Sequence, residues 1–327
     1  MDIEIELNKR ADFFNKQLEK FLDGGHPESL YNASRHLPLA GGKRLRPCFS
    51  LISCEAVNGD IIKVIPLAIA LELIHNFTLI HDDIMDKSKL RRNLPTVHVK
   101  FGEASAINAG DLLFIKAFES MHSISVDCQV FKNVEFGFID FIKEICEGQQ
   151  LDMDYENRKI VNEDEYIEMI RKKTAVFFQF SAEAGAIIGG GTKDETNALN
   201  EYGLNAGLGF QIWDDYLDIS SDETTLGKDI GNDIRNGKKT LIAVHCMNNV
   251  EGSDKQLFDN IFGNKSATED EVRQVYDLFK KSKSIDYAKD TALDYIKKAK
   301  NSLEKISDSD AKQLLLDLAD YSIKRNK

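Results

Sequence analysis

Apolar residues recur at steps of three and four through most of this chain, which is the spacing of one buried face of an α-helix. The first segment carries the pattern at Leu7, Ala11, Phe14, Leu18 and Phe21. It ends at Gly24 and Gly25, a typical helix stop. Similar patterns fill most of the remaining length, so the sequence predicts a chain built from helices.

The positions of proline support this prediction. The chain has 5 prolines, and none occurs between Thr96 and the C-terminus. Because proline inside a helix removes a hydrogen bond and clashes with the preceding turn, its absence favours long uninterrupted helices. No low-complexity linker interrupts the pattern. We therefore expect an all-α fold and one domain over residues 1–327.

Two of the predicted helices, residues 61–86 and 195–220, each end in the same acidic motif, DDxxD. The motifs consist of Asp82, Asp83 and Asp86, and of Asp214, Asp215 and Asp218. Residues four apart lie on one face of a helix, so each motif gathers carboxylates at one place. A single DDxxD is most often a solvated acidic face, but two of them in apolar helices indicate a functional cluster.

Clustered carboxylates repel one another and are stabilised by a cation. Mg²⁺ suits them, because it binds one or two carboxylates together with water and phosphate oxygens. The formal net charge of −12 argues against binding of nucleic acid or of an anionic lipid surface. Any phosphate site must therefore depend on local basic residues.

Composition also bears on location. The 5 cysteines are scattered without a CxxC pair, so neither a disulfide framework nor a zinc site is predicted. The start, MDIEIELNKR, does not read as a signal peptide, and no run of about 18 uninterrupted apolar residues predicts a membrane span. We expect a cytoplasmic protein without a transmembrane segment.

Basic residues occur in four places that suit phosphate binding. A glycine-led turn, AGGKRLRP at residues 40–47, precedes an apolar helix, and glycine lets backbone N–H groups converge on an anion. The pair Arg91–Arg92 follows the first DDxxD, and Lys172–Lys173–Thr174 interrupts the apolar pattern of a later predicted helix. Residues 221–240, after the second DDxxD, are polar and rich in glycine and lysine, which predicts a phosphate-gripping loop.

Together, the GGKRLRP turn, DDIMD followed by RR, the KT pair, FQIWDDYLD and the GKxxGND…GKKT segment resemble the trans-isoprenyl diphosphate synthases. The resemblance covers residues 41–240 and is greatest to short-chain, geranylgeranyl-forming members of archaeal type. It implies an isoprenoid-synthase helical bundle around a deep central cavity, usually a homodimer. It also implies an enzyme that condenses isopentenyl diphosphate with allylic diphosphates, with three Mg²⁺ ions per active site.

The resemblance assigns roles residue by residue. The implied Mg²⁺ ligands are Asp82, Asp86 and Asp214, with Asp83, Asp215 and Asp218 as supporting carboxylates. The residues that would hold the allylic diphosphate or the forming cation are Arg91, Lys173, Thr174, Gln211, Lys228 and Lys238. Those that would hold isopentenyl diphosphate are Lys43, Arg46, His75 and Arg92. Two diphosphates repel, so one site built on metal and one on basic side chains is chemically reasonable.

Product length is expected to depend on the residues one helical turn before the first DDxxD. Phe77 and Thr78 lie five and four positions before Asp82, roughly 6 to 7.5 Å back along the axis. One aromatic residue followed by a small one resembles the family pattern for a C20 product. The chain departs from the commonest family spelling at Asn93 and at Asp229, where Gly and Pro are usual.

Several alternatives remain open at this stage. One is a farnesyl diphosphate synthase, for which two aromatic residues before the first DDxxD would be expected, or a bifunctional C15/C20 synthase. A non-catalytic subunit of a heteromeric synthase would usually lack aspartates that are intact here. The pairs Glu72–His75 and Glu119–His122 match the ExxH signature of di-iron bundles, which have no use for the basic turn.

Overall fold

The structure is a computed structural model that describes residues 2–220 and 229–324. Within these ranges the only strands are the two-residue pair Leu90–Arg91 and Leu94–Pro95, β1 and β2. All other regular elements are helical, which confirms the predicted all-α fold. The α-helices, in chain order from α1, are Ile3–Phe21, Glu28–His36, Leu45–Ala56, Ile65–Met85, Val97–Phe101, Glu103–Met121, Cys128–Glu156, Glu163–Ile170, Val176–Gly189, Lys193–Ser220, Asp229–Asn236, Leu241–Asn249, Gly252–Ile261, Glu269–Lys281, Ser284–Ser302 and Asp310–Lys324 (α16).

Contacts between residues divide the chain into two compact units. The first comprises Met1–Ile139, Phe180–Asn200 and Glu304–Asp317, and the second comprises Asp140–Gln179, Glu201–Leu303 and Leu318–Lys327. Each unit contains one of the two DDxxD motifs. The expectation of a single domain over residues 1–327 stays a prediction.

In the first unit, α4 packs against α3 and α6 and forms the centre of the core. Its interior face is apolar and fully buried at residues such as Leu67 and Leu71. Glycine allows close packing here, because a Cβ on Gly110 in the middle of α6 would collide with the His81 ring of α4. Gly110 therefore allows α4 and α6 to approach closely at this point.

The segment Ile61–Met85, which contains α4, is the one candidate for a membrane span among the described residues. Ile61–Met85 is long and apolar enough by length and composition, and 56% of its most apolar window is buried inside the protein. Core helices of soluble proteins meet the same criteria, so this feature is weak evidence for a span. Its burial against α3 and α6 is that of a core helix.

In the second unit, α12 lies against α8, α14 and α15, and six of its nine residues are buried. Local signals fix where the surrounding helices begin. Asn162 and Glu165 form a capping box at the start of α8, and Thr268 and Glu271 form another at α14. Residues 229–236, predicted as part of a loop, form α11, which Arg235 ties to the carbonyl of Ala267 at 2.8 Å.

Candidate active site

The first DDxxD lies at the C-terminal end of α4. Asp82 is half-buried, Asp83 is buried, and Asp86 is exposed just past the last helical residue. The last turn of α4 contains no basic residue. Because the C-terminal end of a helix carries partial negative charge, three carboxylates there are electrostatically unfavourable without a cation.

The buried Asp83 carboxylate is fixed by a hydrogen bond from Arg91. Its Oδ1 accepts a hydrogen bond from Arg91 Nε at 2.8 Å, while Oδ2 is buried without a hydrogen-bond partner among the described residues. Burial raises the pKa of Asp83, and the bond to Arg91 opposes that rise. A buried carboxylate oxygen without a donor is a further reason to expect positive charge at this motif.

The second DDxxD lies in the last turns of α10 and repeats this arrangement. Asp214 and Asp218 are half-buried, and Asp215 is buried. Asp215 accepts hydrogen bonds from Gln211 Nε2 at 3.0 Å and from the Tyr166 hydroxyl at 2.9 Å. Burial raises its pKa to about 6, against the opposing effects of nearby Lys238 and of both hydrogen bonds.

These residues fit Mg²⁺ as a cation that binds together with substrate. No three His, Cys, Asp or Glu side chains form a ready-made metal site in the part of the chain that the structure describes. Mg²⁺ typically uses only one or two carboxylates and completes its shell with water and phosphate oxygens. Oxygen donors at two acidic helix ends, one with an unpartnered buried oxygen, match that preference.

The glycine-led basic turn is built on unusual backbone angles. Gly41, Gly42 and Arg44 have φ of 88°, 136° and 49°, all in the region that favours glycine. Arg44 is buried, forms an ion pair with Glu72 of α4, and donates to Asn15 Oδ1 at 2.9 Å. Arg44 therefore anchors the turn. This use of Glu72 leaves no support for the di-iron alternative.

The predicted isopentenyl diphosphate residues gather beside this turn. Arg46 Nη1 lies 3.3 Å from His75 Nε2, and Lys43 is exposed on the turn itself. Arg92 donates to the carbonyls of Leu37, at 3.2 Å, and Gly41. Burial, and then the positive charges of Arg46 and Arg92, lower the pKa of His75 well below its usual value. A group of cations around a neutral histidine suits an anion.

A tight hairpin separates the two neighbouring arginines. β1 and β2 are joined by Arg92 and Asn93, both with positive φ, at 52° and 61°. Positive φ at both central residues is typical of a type I′ turn, which favours Asn and Gly, so Asn93 suits this position. The hairpin directs Arg91 to the aspartate motif and Arg92 to the basic turn.

In the second unit, a cavity of about 120 Å³ collects five of the predicted residues. They are Lys173, Thr174, Gln211, Asp215 and Lys238. Lys173 and Thr174 lie in a single π-helical turn, Arg171–Ala175, between α8 and α9. π-turns widen the helix and are frequent at functional sites.

Hydrogen bonds and charges order this cavity. Lys173 Nζ donates to Asp152 of α7, and the Thr174 hydroxyl donates to Gln211 Oε1 at 2.9 Å. Burial alone would lower the pKa of Lys238, but Asp215, Asp233 and Asp152 outweigh burial and raise it. Lys238 therefore stays charged, as a phosphate ligand requires. Lys228 lies outside the described residues.

Three further ionisable residues line the cavity that sequence reasoning did not select, namely Asp152, Tyr166 and Lys239. Burial lowers the pKa of Lys239 to about 8, and its Nζ donates to the Gly237 carbonyl at 2.8 Å. The local signal for Asp152 is its position in α7 between two apolar residues, Leu151 and Met153. No local signal marks Tyr166, because an isolated tyrosine in a helix resembles any core residue.

The predicted chain-length residues lie on α4 beside a row of aromatic rings. Phe77 contacts His81 and Phe114 at ring-centre distances of 4.7 and 5.3 Å. Phe114 in turn contacts Phe118 at 5.3 Å. The Thr78 hydroxyl donates to the His75 carbonyl at 2.8 Å. The Phe114 ring of α6 therefore packs against Phe77.

Comparison with known proteins addresses the family. A sequence model of the polyprenyl synthetase family matches residues 27–279. The chain is 43% identical to geranylgeranyl diphosphate synthase of Methanosarcina mazei, over 99% of this chain and 98% of that protein. It is also 43% identical to a short chain isoprenyl diphosphate synthase of Methanothermobacter thermautotrophicus, over 99% of each chain.

A solved structure agrees with these relatives. The crystal structure of geranylgeranyl pyrophosphate synthetase from Pyrococcus horikoshii superposes with a TM-score of 0.93, at 43% identity and over 99% of both chains. The resemblance inferred from the motifs is therefore confirmed over the whole chain. This protein belongs to the polyprenyl synthetase family.

Proposed function

We propose that this protein is a geranylgeranyl diphosphate synthase. It condenses isopentenyl diphosphate with allylic diphosphates of C5 to C15 and releases mainly the C20 product. The observation that carries the proposal is the presence of two kinds of charged cluster, each suited to one diphosphate. One kind is a carboxylate motif with nearby cations, found in each unit, and the other is a separate basic cluster of Arg46, His75 and Arg92. Terpene cyclases, which ionise a single diphosphate, have no need of the second kind.

The aspartates define the metal-dependent part of the mechanism. Asp82 and Asp86 of the first unit and Asp214 of the second are the proposed ligands, and Asp83 and Asp215 hold the motifs in place from within. Mg²⁺, when bound, supplies positive charge that offsets the charge growing on the leaving diphosphate. Arg91, Lys173, Lys228 and Lys238 would contribute to the same stabilisation as hydrogen-bond donors.

The remaining residues act on the organic groups. Lys43, Arg46 and Arg92 hold isopentenyl diphosphate, with bidentate contacts available from the arginines. The double bond of isopentenyl diphosphate attacks the allylic cation, and the released diphosphate takes the final proton. Thr174 and Gln211 present oxygen atoms to the cation. Phe77 limits how far the product extends.

We also propose a cytoplasmic homodimer. In the first unit, Ile107 and Ile115 of α6 and Phe136 and Ile139 of α7 are 42 to 67% exposed. Several large apolar side chains on two helices favour contact with another protein surface, and a second copy of the chain is the simplest partner. All five cysteines are free thiols, as a reducing compartment allows.

The test is consumption of isopentenyl diphosphate by the purified protein with farnesyl diphosphate as the allylic substrate. Condensation is expected with Mg²⁺ and none is expected with EDTA. Asp82→Asn and Asp214→Asn should each lower kcat by at least a hundredfold, whereas Asp277→Asn, on α14, should be neutral. Condensation of equal rate in EDTA would contradict the metal-dependent mechanism.

A further inference from the structure

Tyr166 is a buried residue of the second unit that no motif assigns to a role. Its side chain is completely buried in the first half of α8. The capping box of Asn162 and Glu165 fixes the start of that helix immediately before it. The Tyr166 hydroxyl lies 2.9 Å from Asp215 Oδ2, so it contacts the second DDxxD from inside the protein.

The chemistry of the two groups determines the direction of this hydrogen bond. Asp215, as a carboxylate, can only accept, so the Tyr166 hydroxyl donates its proton to Asp215 Oδ2. Burial and the Asp215 charge raise the Tyr166 pKa well above its usual value, so the hydroxyl remains a donor.

The acceptor-only carboxylate of Asp215 also determines the orientation of Gln211 and Thr174. Because Asp215 only accepts, Gln211 must turn its amide nitrogen toward it, at 3.0 Å. The amide oxygen of Gln211 then faces Thr174, whose hydroxyl donates to it at 2.9 Å. The Thr174 proton is thereby committed to Gln211, which leaves the oxygen lone pairs to face other groups in the cavity.

We infer that Tyr166 is a positioning residue that, through Asp215 and Gln211, holds the Thr174 oxygen as an acceptor toward the allylic cation. This inference rests on the proposed function, since it concerns how that cation is stabilised. If the relay were reversed, Thr174 could present its proton to the cation, which would repel rather than stabilise it. Tyr166 lines the cavity, but its hydroxyl is hydrogen-bonded to Asp215, so it acts through the relay.

Tyr166→Phe removes the first donor and keeps the ring. We expect kcat to fall roughly tenfold, because the amide of Gln211 is less firmly oriented. The KM for isopentenyl diphosphate should stay unchanged, since its proposed ligands are other residues. Tyr202→Phe is the matched control, because Tyr202 is an equally buried tyrosine of the same unit. It should lower the melting temperature but not kcat.

A double-mutant cycle separates a relay from a general loss of stability. With Thr174→Val in the background, Tyr166→Phe should have no further effect on kcat, because the group it orients is gone. Multiplicative effects of the two substitutions would overturn the relay. Equal kcat values for the Tyr166→Phe and Tyr202→Phe enzymes would also overturn the relay.

If Tyr166→Phe does not fold, Asp215→Asn interrupts the relay one step later. An asparagine can donate as well as accept, so it no longer fixes the orientation of Gln211. Part of its effect on kcat should persist in the Thr174→Val background, because Asp215 also holds the aspartate motif, but the effect should be smaller there than in the wild type. An equal effect in both backgrounds would overturn the relay. A wild-type enzyme that does not condense its substrates would instead overturn the proposed function.

Discussion

At the scale of single residues, each aspartate motif divides its carboxylates by exposure. The second aspartate of each, Asp83 or Asp215, is buried and hydrogen-bonded within the protein, whereas the first lies nearer the surface. Burial raises the pKa of both inner carboxylates. The inner residues therefore shape the motif, and the outer ones are placed to meet a cation.

Phe77 is the residue on which the predicted product length depends. Phe77→Ala removes the ring in front of Phe114, so the growing chain should pass α4 and stop at the next aromatic ring. Products of C25 and longer are expected, at a modest loss of stability. Thin-layer or mass analysis of the dephosphorylated products measures this. Leu112→Ala, on α6, is a control, and an unchanged product set in Phe77→Ala would rule out Phe77 as the limit.

His75 makes stability depend on pH. Its folded pKa lies below its usual value, so the unfolded chain binds the proton more tightly. The stabilisation is therefore complete above about pH 6.5 and is lost as the pH falls below that value, by up to about 1.4 kcal/mol per pH unit. Melting temperatures from pH 7.5 to 5 should fall more steeply for the wild type than for His75→Gln.

The same melting-temperature series, repeated with inorganic diphosphate, tests whether His75 lies at an anion site. A bound anion would favour the charged form of His75 and raise its pKa. Diphosphate should therefore reduce the loss of stability at low pH in the wild type and have less effect in His75→Gln. Equal slopes for both proteins, with and without diphosphate, would contradict the placement of His75 at an anion site.

At the scale of elements, the glycine-led turn and the β1–β2 hairpin form one basic cluster. Gly42 allows Arg92 to lie against the turn, since a Cβ there would be 3.1 Å from Arg92 Cζ. Arg92 in turn donates to the carbonyl of Gly41. The cluster therefore depends on backbone geometry as much as on charge.

The neighbouring glycines provide a matched test of that dependence. Gly42→Ala should displace Arg92 and raise the KM for isopentenyl diphosphate about tenfold, the effect of roughly 1.4 kcal/mol of lost binding. Gly41→Ala introduces a similar backbone strain, at φ of 88°, but meets no atom within 4 Å. It should lower stability and leave that KM nearly unchanged. Equal changes in KM would show that strain alone, and not Arg92, is responsible.

The elements also show which features a sequence can reveal. Helices α4 and α10 and both aspartate motifs follow from spacing and composition, because repulsion and periodicity are local properties. The Arg44–Glu72 ion pair, the Asp152–Lys173 pair and the Tyr166–Asp215 bond join residues 21 to 49 positions apart. Such partners depend on packing, which no local pattern encodes.

The sequence also did not predict the π-turn or helix α11, because both depend on contacts between distant residues. The π-turn at Arg171–Ala175 arises inside an ordinary helical pattern, where Gly148 of α7 leaves room for the backbone at Lys173. α11 replaces part of a predicted loop, because Arg235 and the buried Ile234 anchor a segment whose glycines suggested irregular structure. Long-range anchors outweighed local propensity in both cases.

At the scale of the whole molecule, the net charge of −12 contrasts with substrates that are themselves anions. Binding must then rely on the local cations of each unit and on Mg²⁺, so high ionic strength should weaken it. The exposed apolar side chains of α6 and α7 are the other global feature, and they support the proposed homodimer.

A charge placed on that surface should separate the subunits. Ile115 is 61% exposed, and Ile115→Glu would bury an unpaired carboxylate in an interface at α6. We expect light scattering to give the mass of two chains, about 74 kDa from the 36.9 kDa sequence, for the wild type and of one for the variant. Ile62→Glu, at 59% exposure elsewhere in the same unit, should remain dimeric.

The most direct test of the central claim is the chain length of the product. The purified protein would be incubated with Mg²⁺, isopentenyl diphosphate and, separately, the C5, C10 and C15 allylic diphosphates, and the dephosphorylated products analysed. A dominant C20 alcohol from all three is the predicted result. A dominant C15 or C25 product would contradict the assignment of chain length, and no condensation with any of them would contradict the proposed function.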